Sequence, residues 1–191
     1  MLELVDESDF LGTVLASRVN PVVLERAPSL GVGDWWLTGG AVFQAVWNRL
    51  DGRDPDAGVL DRDLFYFDPS DLSWEVEDAW CSGPQRCSPI CRRRCRCATR
   101  LGCTCGSRAA SVWRRRRSPP PGTRSTTCCY GVTRGAGGFE VYAPHGFADL
   151  ASRRVRPNPG PATCEVYETK TARWRTEWPS LTVEPWPDGV P

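Results

Sequence analysis

Apolar residues recur at helical spacing from Glu7 to Val19, at Phe10, Leu11, Val14, Leu15 and Val19, and predict a first helix. Asn20 followed by Pro21 reads as the cap and first residue of a short second helix. Asp34-Trp35-Trp36-Leu37-Thr38 predicts a brief buried strand ending at Gly39-Gly40. Ala41–Leu50 follows at once as a helix, with Val42, Val46 and Leu50 on one face. The Gly/Pro/Asp stretch Asp51–Gly58 is a loop, and Asp61–Phe67, short and aromatic, is the clearest strand. Asp68-Pro69-Ser70-Asp71 starts a helix that runs to about Trp80, with a side-chain cap, a proline at the first position and an acid in the first turn. Further on, Gly138–Ala143 reads as a strand and Phe147–Val155 as a helix stopped by Arg156-Pro157-Asn158-Pro159. Thr163–Trp178 is a last helix, with Tyr167, Trp174 and Trp178 near one stripe. Strands and helices alternate in both flanks, which predicts an α/β or α+β class: a small mixed sheet with flanking helices in one domain over 1–191.

Between these flanks the periodicity disappears, and composition changes with it. From Cys81 to Thr127 there are twelve arginines and no Asp, Glu or Lys, and nine of the ten cysteines lie between Cys81 and Cys129. The rest of the chain holds all 23 acidic residues against twelve basic ones, so the flanks sit near −11 while the whole chain is at +1. Glu3, Asp6, Glu7 and Asp9 among the first residues argue against a signal peptide. No apolar run approaches the roughly 18 residues of a membrane span. A cytoplasmic protein with no membrane partner is expected, its cysteines kept reduced.

The Cys/Arg segment admits three readings. A zinc module needs paired ligands that close on one ion. The cysteines at 81, 87, 91, 95, 97, 103 and 105 contain no Cys-x-x-Cys, and the one histidine, His145, is far along the chain. A nucleic-acid-binding module would rest on Arg92-Arg93-Arg94 and Arg114–Arg117, which could neutralise phosphates but equally describe a disordered basic stretch. The third reading is a codon-frame error from about Cys81 to Ser118. Arg, Cys, Pro, Ala, Gly and Ser are what a GC-rich coding strand yields out of frame. Codons built from the last base of each residue and the first two of the next allow Cys91 through Ser107 to read Pro-Ala-Pro-Val-Gln-Val-Arg-Asn-Gln-Ala-Arg-Val-His-Leu-Trp-Phe, a strand-like alternation absent from the printed residues. Trp80 through Cys91 permits Val-Phe-Arg-Ala-Ala-Glu-Leu-Phe-Ala-Asp-Leu, which continues the preceding helix. Ala110 to Ser118 permits a further Phe-Gly-Val-Ala stretch. The frame reading predicts that 81–118 is irregular or disordered.

Both flanks resemble an uncharacterised bacterial nucleotidyltransferase family related to the polymerase-β-like superfamily. The resemblance is carried by Asp34-Trp35-Trp36-Leu37-Thr38-Gly39-Gly40-Ala41-Val42-Phe43-Gln44-Ala45-Val46-Trp47-Asn48 and by Asp61-Arg62-Asp63-Leu64-Phe65-Tyr66-Phe67-Asp68. Ala143-Pro144-His145-Gly146-Phe147-Ala148-Asp149-Leu150, Arg156-Pro157-Asn158-Pro159, and Tyr167, Lys170, Arg173, Trp174, Trp178 and Pro179 add to it. The shifted reading of the segment looks like the family's missing strand, and the family leads one to expect about ten more residues after Arg124-Ser125-Thr126.

The resemblance implies nucleotidyl transfer from a nucleoside triphosphate, with Mg²⁺ as cofactor, by a monomer whose acceptor is unspecified. The chemistry suits the residues. Asp61 and Asp63, two apart on a strand, project from one face and are the candidate catalytic and metal-holding pair. Thr38, Gly39 and Gly40 at a helix start would seat phosphate on backbone N–H groups. Lys170 and Arg173 share a helix face and could meet phosphates as well. The superfamily usually adds a third carboxylate on a neighbouring strand. The shifted frame offers Gln there, because a Cys–Arg junction cannot encode Glu, and Glu140 is left as a substitute. Gln44 and Trp47, on the helix after the turn, read as packing ahead of substrate contact, and the nine tryptophans as an aromatic-rich core. A non-catalytic binding or regulatory member of the fold is the alternative, and the chain as printed is expected to be inactive. Sequencing the DNA around the codons of Trp80 and Thr123 should find one frame change near each. An uninterrupted frame through both would refute the frame reading.

Overall fold

The computed structural model of the chain describes residues 6–30, 35–66, 95–98, 130–157 and 163–189. Helix α1 (Glu7–Leu15) starts where the Asp6 carboxylate accepts the Asp9 N–H at 2.7 Å. It stops four residues short of the predicted Val19. Ser17 is the cause: its hydroxyl accepts the N–H groups of Val19 and Asn20, both at 3.1 Å, and donates to Asp56 at 2.6 Å. Helix α2 (Asn20–Arg26) therefore begins on Ser17, and the capping role predicted for Asn20 is corrected. The Asn20 side chain points inward instead, donating to the carbonyls of Val14 and Ala41 at 3.1 and 2.8 Å.

After a 3-10 turn at Ala27–Leu30 come β1 (Trp35–Thr38), α3 (Gly40–Leu50) and β2 (Arg62–Tyr66). Strand β3 (Cys95–Ala98) lies inside the segment expected to be irregular, and its four residues are the described part of it; the helix predicted over 68–80 lies outside the described residues. A hairpin follows, β4 (Gly131–Gly135) and β5 (Gly138–Tyr142), of which the sequence reading found only the second strand. The predicted helix Phe147–Val155 is only one turn, α4 (Ala148–Ala151). Arg153 then takes a left-handed φ of 55°, and Arg154–Val155 becomes β6. Pairing with β7 (Thr182–Val183) outcompetes the helical period there. Helix α5 (Cys164–Glu177) matches its prediction, with Thr163 as cap.

The five strands run in the order β3-β2-β1-β4-β5. The β2–β3 pair is parallel and the others antiparallel, so the sheet is mixed, as the class requires. Register and burial divide its two faces. Trp35, Leu37, Leu64 and Val132 pack into one core with Phe10, Val14, Leu24, Val42 and Val46 of the helices. Trp36, Thr38, Asp63, Gly131 and Tyr142 share the other face, where the Trp36 and Tyr142 rings meet edge to face. An aromatic seam binds α5 to α3: Trp47 contacts Phe43, Trp174 and Trp178 at ring distances of 4.7 to 5.7 Å. Trp178 donates its indole N–H to Asn48 at 2.8 Å, and the Asn48 amide holds the carbonyls of Pro55 and Ala57. Among the described residues no helix is long and apolar enough to cross a membrane.

Loop 51–61 is tied down by charge. The Arg62 side chain, 1% exposed, pairs with Asp56 and donates from Nε to Asn20 at 3.2 Å. Burial pushes the Asp56 carboxyl upward, but bonds from Ser17 and the Arg18 N–H and the charge of Arg62 outweigh it, leaving it below the ordinary carboxylate value. A depressed carboxyl contributes stability that is present above its unfolded value, near about 4, and is lost as pH falls through the folded one. Asp56→Ala strands a buried guanidinium and should cost about 3–5 kcal/mol in urea unfolding at pH 7. The difference from the unaltered chain should shrink on titration below pH ~4. Equal stability at neutral pH would show the pair to be dispensable.

Candidate functional site

Strand β1 ends against the middle of β2, with Thr38 in register with Asp63. The next residue, Gly39, has φ +67° and ψ −148°, a conformation open essentially to glycine alone. Its missing side chain matters as much as its torsion, because a Cβ there would stand 2.8 Å from Oδ2 of Asp63. The Asp63 carboxylate thus lies against the turn. Asp61, at the entrance to β2, is half-buried like Asp63, while Arg62 between them and Leu64 beyond are buried in the helix-side core. Alternation along the pleat gives the two aspartates the same side. The structure therefore joins one end of the predicted pair directly to the glycine turn.

Helix α3 begins at Gly40 with no side-chain cap from Gly39, and the Gly39 carbonyl accepts the N–H groups of Val42 and Phe43. Two buried polar atoms near this turn lack partners. One is the hydroxyl oxygen of Thr38, on the same sheet face as Asp63; the other is Oε1 of Gln44, one turn into α3. A buried polar group normally finds a partner. Gln44, read from sequence as packing ahead of substrate contact, is thus buried with an unpartnered amide oxygen, which its spacing of four from Gly40 only hints at.

Lys170 and Arg173 lie on α5. Arg173 is exposed and donates at 3.3 Å to the carbonyl of Gly58, three residues before Asp61, while Lys170 is half-buried one turn earlier. Arg173 is thus bound to the loop that leads into β2 rather than to the glycine turn. Glu140 is not the third carboxylate. It sits on β5, three strands from β2 and hence roughly 14 Å away at about 4.8 Å per strand, over Gly135 of its own hairpin. On the other side of β2, the residue in register with Asp63 is Arg96. Among the described residues no three His, Cys, Asp or Glu side chains gather to hold a metal. His145, on the turn before α4, has its pKa lowered by burial against the opposing pull of Asp149.

A mixed sheet with a strand, a Gly-Gly turn, a helix and an acidic strand in this order defines a nucleotidyltransferase-type domain. The chain belongs to the nucleotidyltransferase family, whose model matches residues 25–91 and 124–183, more than half of its length. The interruption between the two matched stretches falls on the Arg/Cys-rich segment. A solved NMR structure described as revealing a CCA-adding enzyme head domain has a TM-score of 0.61, with 95% of this chain and 97% of that one covered at 22% identity. That likeness shows the fold. No curated protein matches the chain.

Gly39→Ala forces an L-residue into positive φ and pushes the Asp63 carboxylate aside. It should cost about 1–3 kcal/mol in urea unfolding. An unchanged midpoint would contradict the close approach of Asp63 to the turn.

Proposed function

We propose that this domain, with the strand beside β2 intact, transfers a nucleotidyl group from a nucleoside triphosphate to an acceptor hydroxyl, using Mg²⁺. The observation that carries the reading is the Asp63 carboxylate lying against Gly39, which sets a cation-binding group beside a phosphate-binding turn. The donor set fits the ion. Two half-buried carboxylates and an unpartnered hydroxyl are hard oxygen ligands, and Mg²⁺ is commonly held by one or two carboxylates with substrate phosphate and water completing the shell. Asp61 and Asp63 would hold the metal, which when bound neutralises the triphosphate and favours ionisation of the attacking hydroxyl.

The remaining work falls to the chain. The uncapped N-terminus of α3 and the side-chain-free surface of Gly39-Gly40 receive phosphate, with Thr38 beside them. Lys170 and Arg173 are assigned to further phosphate contact. The acceptor oxygen bonds to the α-phosphorus, the bond from that phosphorus to the bridging oxygen breaks, and pyrophosphate leaves. The hydroxyl proton passes to a carboxylate of the pair. The domain acts as a cytoplasmic monomer.

A second reading is a non-catalytic member of the fold that binds nucleotide without transferring it. It is favoured by the missing third carboxylate, with Arg96 in register with Asp63 and Glu140 out of reach. Under either reading the chain with its Arg/Cys-rich segment is impaired. Buried arginine needs partners, and this segment has no acids of its own. A domain holds only about 5–15 kcal/mol in all, so corrupting the strand that pairs with β2 can consume much of it.

The test expresses the printed chain and a frame-repaired chain, and compares thermal melting and pyrophosphate release with Mg²⁺ and mixed nucleoside triphosphates. The repaired chain should melt higher, be stabilised further by Mg²⁺-nucleotide, and lose the metal-dependent part on Asp61→Asn or Asp63→Asn. Equal stability and turnover in the printed chain would refute the damage. Stabilisation of the repaired chain without pyrophosphate release would establish the non-catalytic reading.

A further inference from the structure

The Gly-Gly turn is built with more polar equipment than a simple chain reversal needs. Gly39 requires glycine for its φ of +67°, but Gly40 does not, since its backbone is ordinary helix. What Gly40 provides is space. Cδ, Oε1 and Nε2 of Gln44 each stand 2.9 Å from where a Gly40 Cβ would be, so the carboxamide lies flat on the first turn of α3. Helical side chains lean toward the N-terminus, which aims this one at the uncapped end. Glycine in place of alanine in a helix costs roughly 0.5–1 kcal/mol, so seating the amide there has an energetic cost to the fold.

The amide oxygen returns nothing to the fold. Gln44 is 4% exposed and its Oε1 has no partner, and Thr38, 2% exposed and just before the turn, likewise has an unpartnered hydroxyl. Two orphaned polar groups, both more than nine-tenths buried, thus flank one uncapped helix N-terminus. A purely structural glutamine in this position would be bonded, or replaced by Met or Leu.

We infer that Gln44 is a ligand-contacting, specificity-determining residue whose carboxamide, with the Thr38 hydroxyl, donates to a phosphoryl oxygen seated on Gly39-Gly40. A half-turn of the terminal amide exchanges its oxygen for its NH₂, so either end can face the turn. Phosphoryl oxygen is the matching chemistry because backbone N–H groups at the start of α3 and the Thr38 O–H can donate to it, while the Asp63 carboxylate against Gly39 would meet it through a shared cation. The inference rests on the phosphate-binding reading above and names the side chain that would select for it.

The test titrates inorganic tripolyphosphate into the full chain and into Gln44→Met and Gln44→Glu, followed by amide chemical shifts, with melting measured on ligand-free samples. Removing a bond to a charged oxygen should weaken binding about tenfold or more in Gln44→Met, and Gln44→Glu, isosteric but anionic, should bind more weakly still. Without ligand Gln44→Met should melt no lower than the parent, because it relieves an unsatisfied buried acceptor. That combination, equal or greater stability with lost binding, is not the signature of a packing residue. A lower ligand-free melting temperature for both variants would make Gln44 structural and overturn the inference. Retained binding in Gln44→Glu with loss in Gln44→Met would replace phosphate by a donor-bearing group, and also overturns it. If the parent binds and both variants bind equally, Gln44 is excluded while the phosphate turn stands. If neither the parent nor a frame-repaired parent binds, the phosphate reading of the turn fails with it.

Discussion

A guanidinium inside the core organises this fold. Arg62 cannot be buried without its charge answered, and the answer comes from Asp56, which is itself bound by Ser17 and the Arg18 N–H. One ion pair thereby joins the α1–α2 junction, loop 51–61 and the start of β2. The neighbouring bond from Arg62 to Asn20 extends the network to α3, because Asn20 also holds the Ala41 carbonyl. The pair does not have to be stabilising relative to an apolar replacement; breaking it is what costs. Its consequence is geometric. With Arg62 fixed on the helix side, the pleat sends Asp61 and Asp63 to the opposite side.

The same economy governs the turn before α3. Thr38 ends β1 in register with Asp63, and the chain must reverse into a helix without striking that carboxylate. Two glycines meet two different requirements, one a left-handed backbone and the other room for an amide. What results is an acidic group, a hydroxyl, an amide and a helix N-terminus gathered at one turn, and the unpartnered Thr38 hydroxyl and Gln44 amide oxygen make little sense for stability and good sense for a ligand. The aromatic seam of Trp47, Trp174 and Trp178 holds the later turns of α3 to α5, and Asn48 couples the seam to the loop that carries Asp56.

The Arg/Cys-rich segment meets this framework at β3. Four residues pair in parallel with β2 through backbone groups, which any non-proline sequence can supply. The residue of that strand in register with Asp63 is Arg96.

Local rules were enough for much of this. The 3.6-residue period located α1, α3 and α5 and the short aromatic run found β2, since each depends on neighbours in sequence, while the family resemblance carried by strand, Gly-Gly, helix and Asp-x-Asp marked the candidate site. Composition alone set the central segment apart. The rest was decided by contacts between distant residues. Asn20 looked like a cap, yet Ser17 does the capping, because Asp56, 39 positions from Ser17, orients its hydroxyl. The helical period at Phe147–Val155 gave way to β6 once β7 was there to pair with it. Glu140 had the right chemistry but sits on a strand too far from β2. Gln44 had the look of packing, and only its burial over Gly40 without a partner exposed another use. A linear pattern records which face a residue occupies; which groups are left without partners emerges only when remote segments meet.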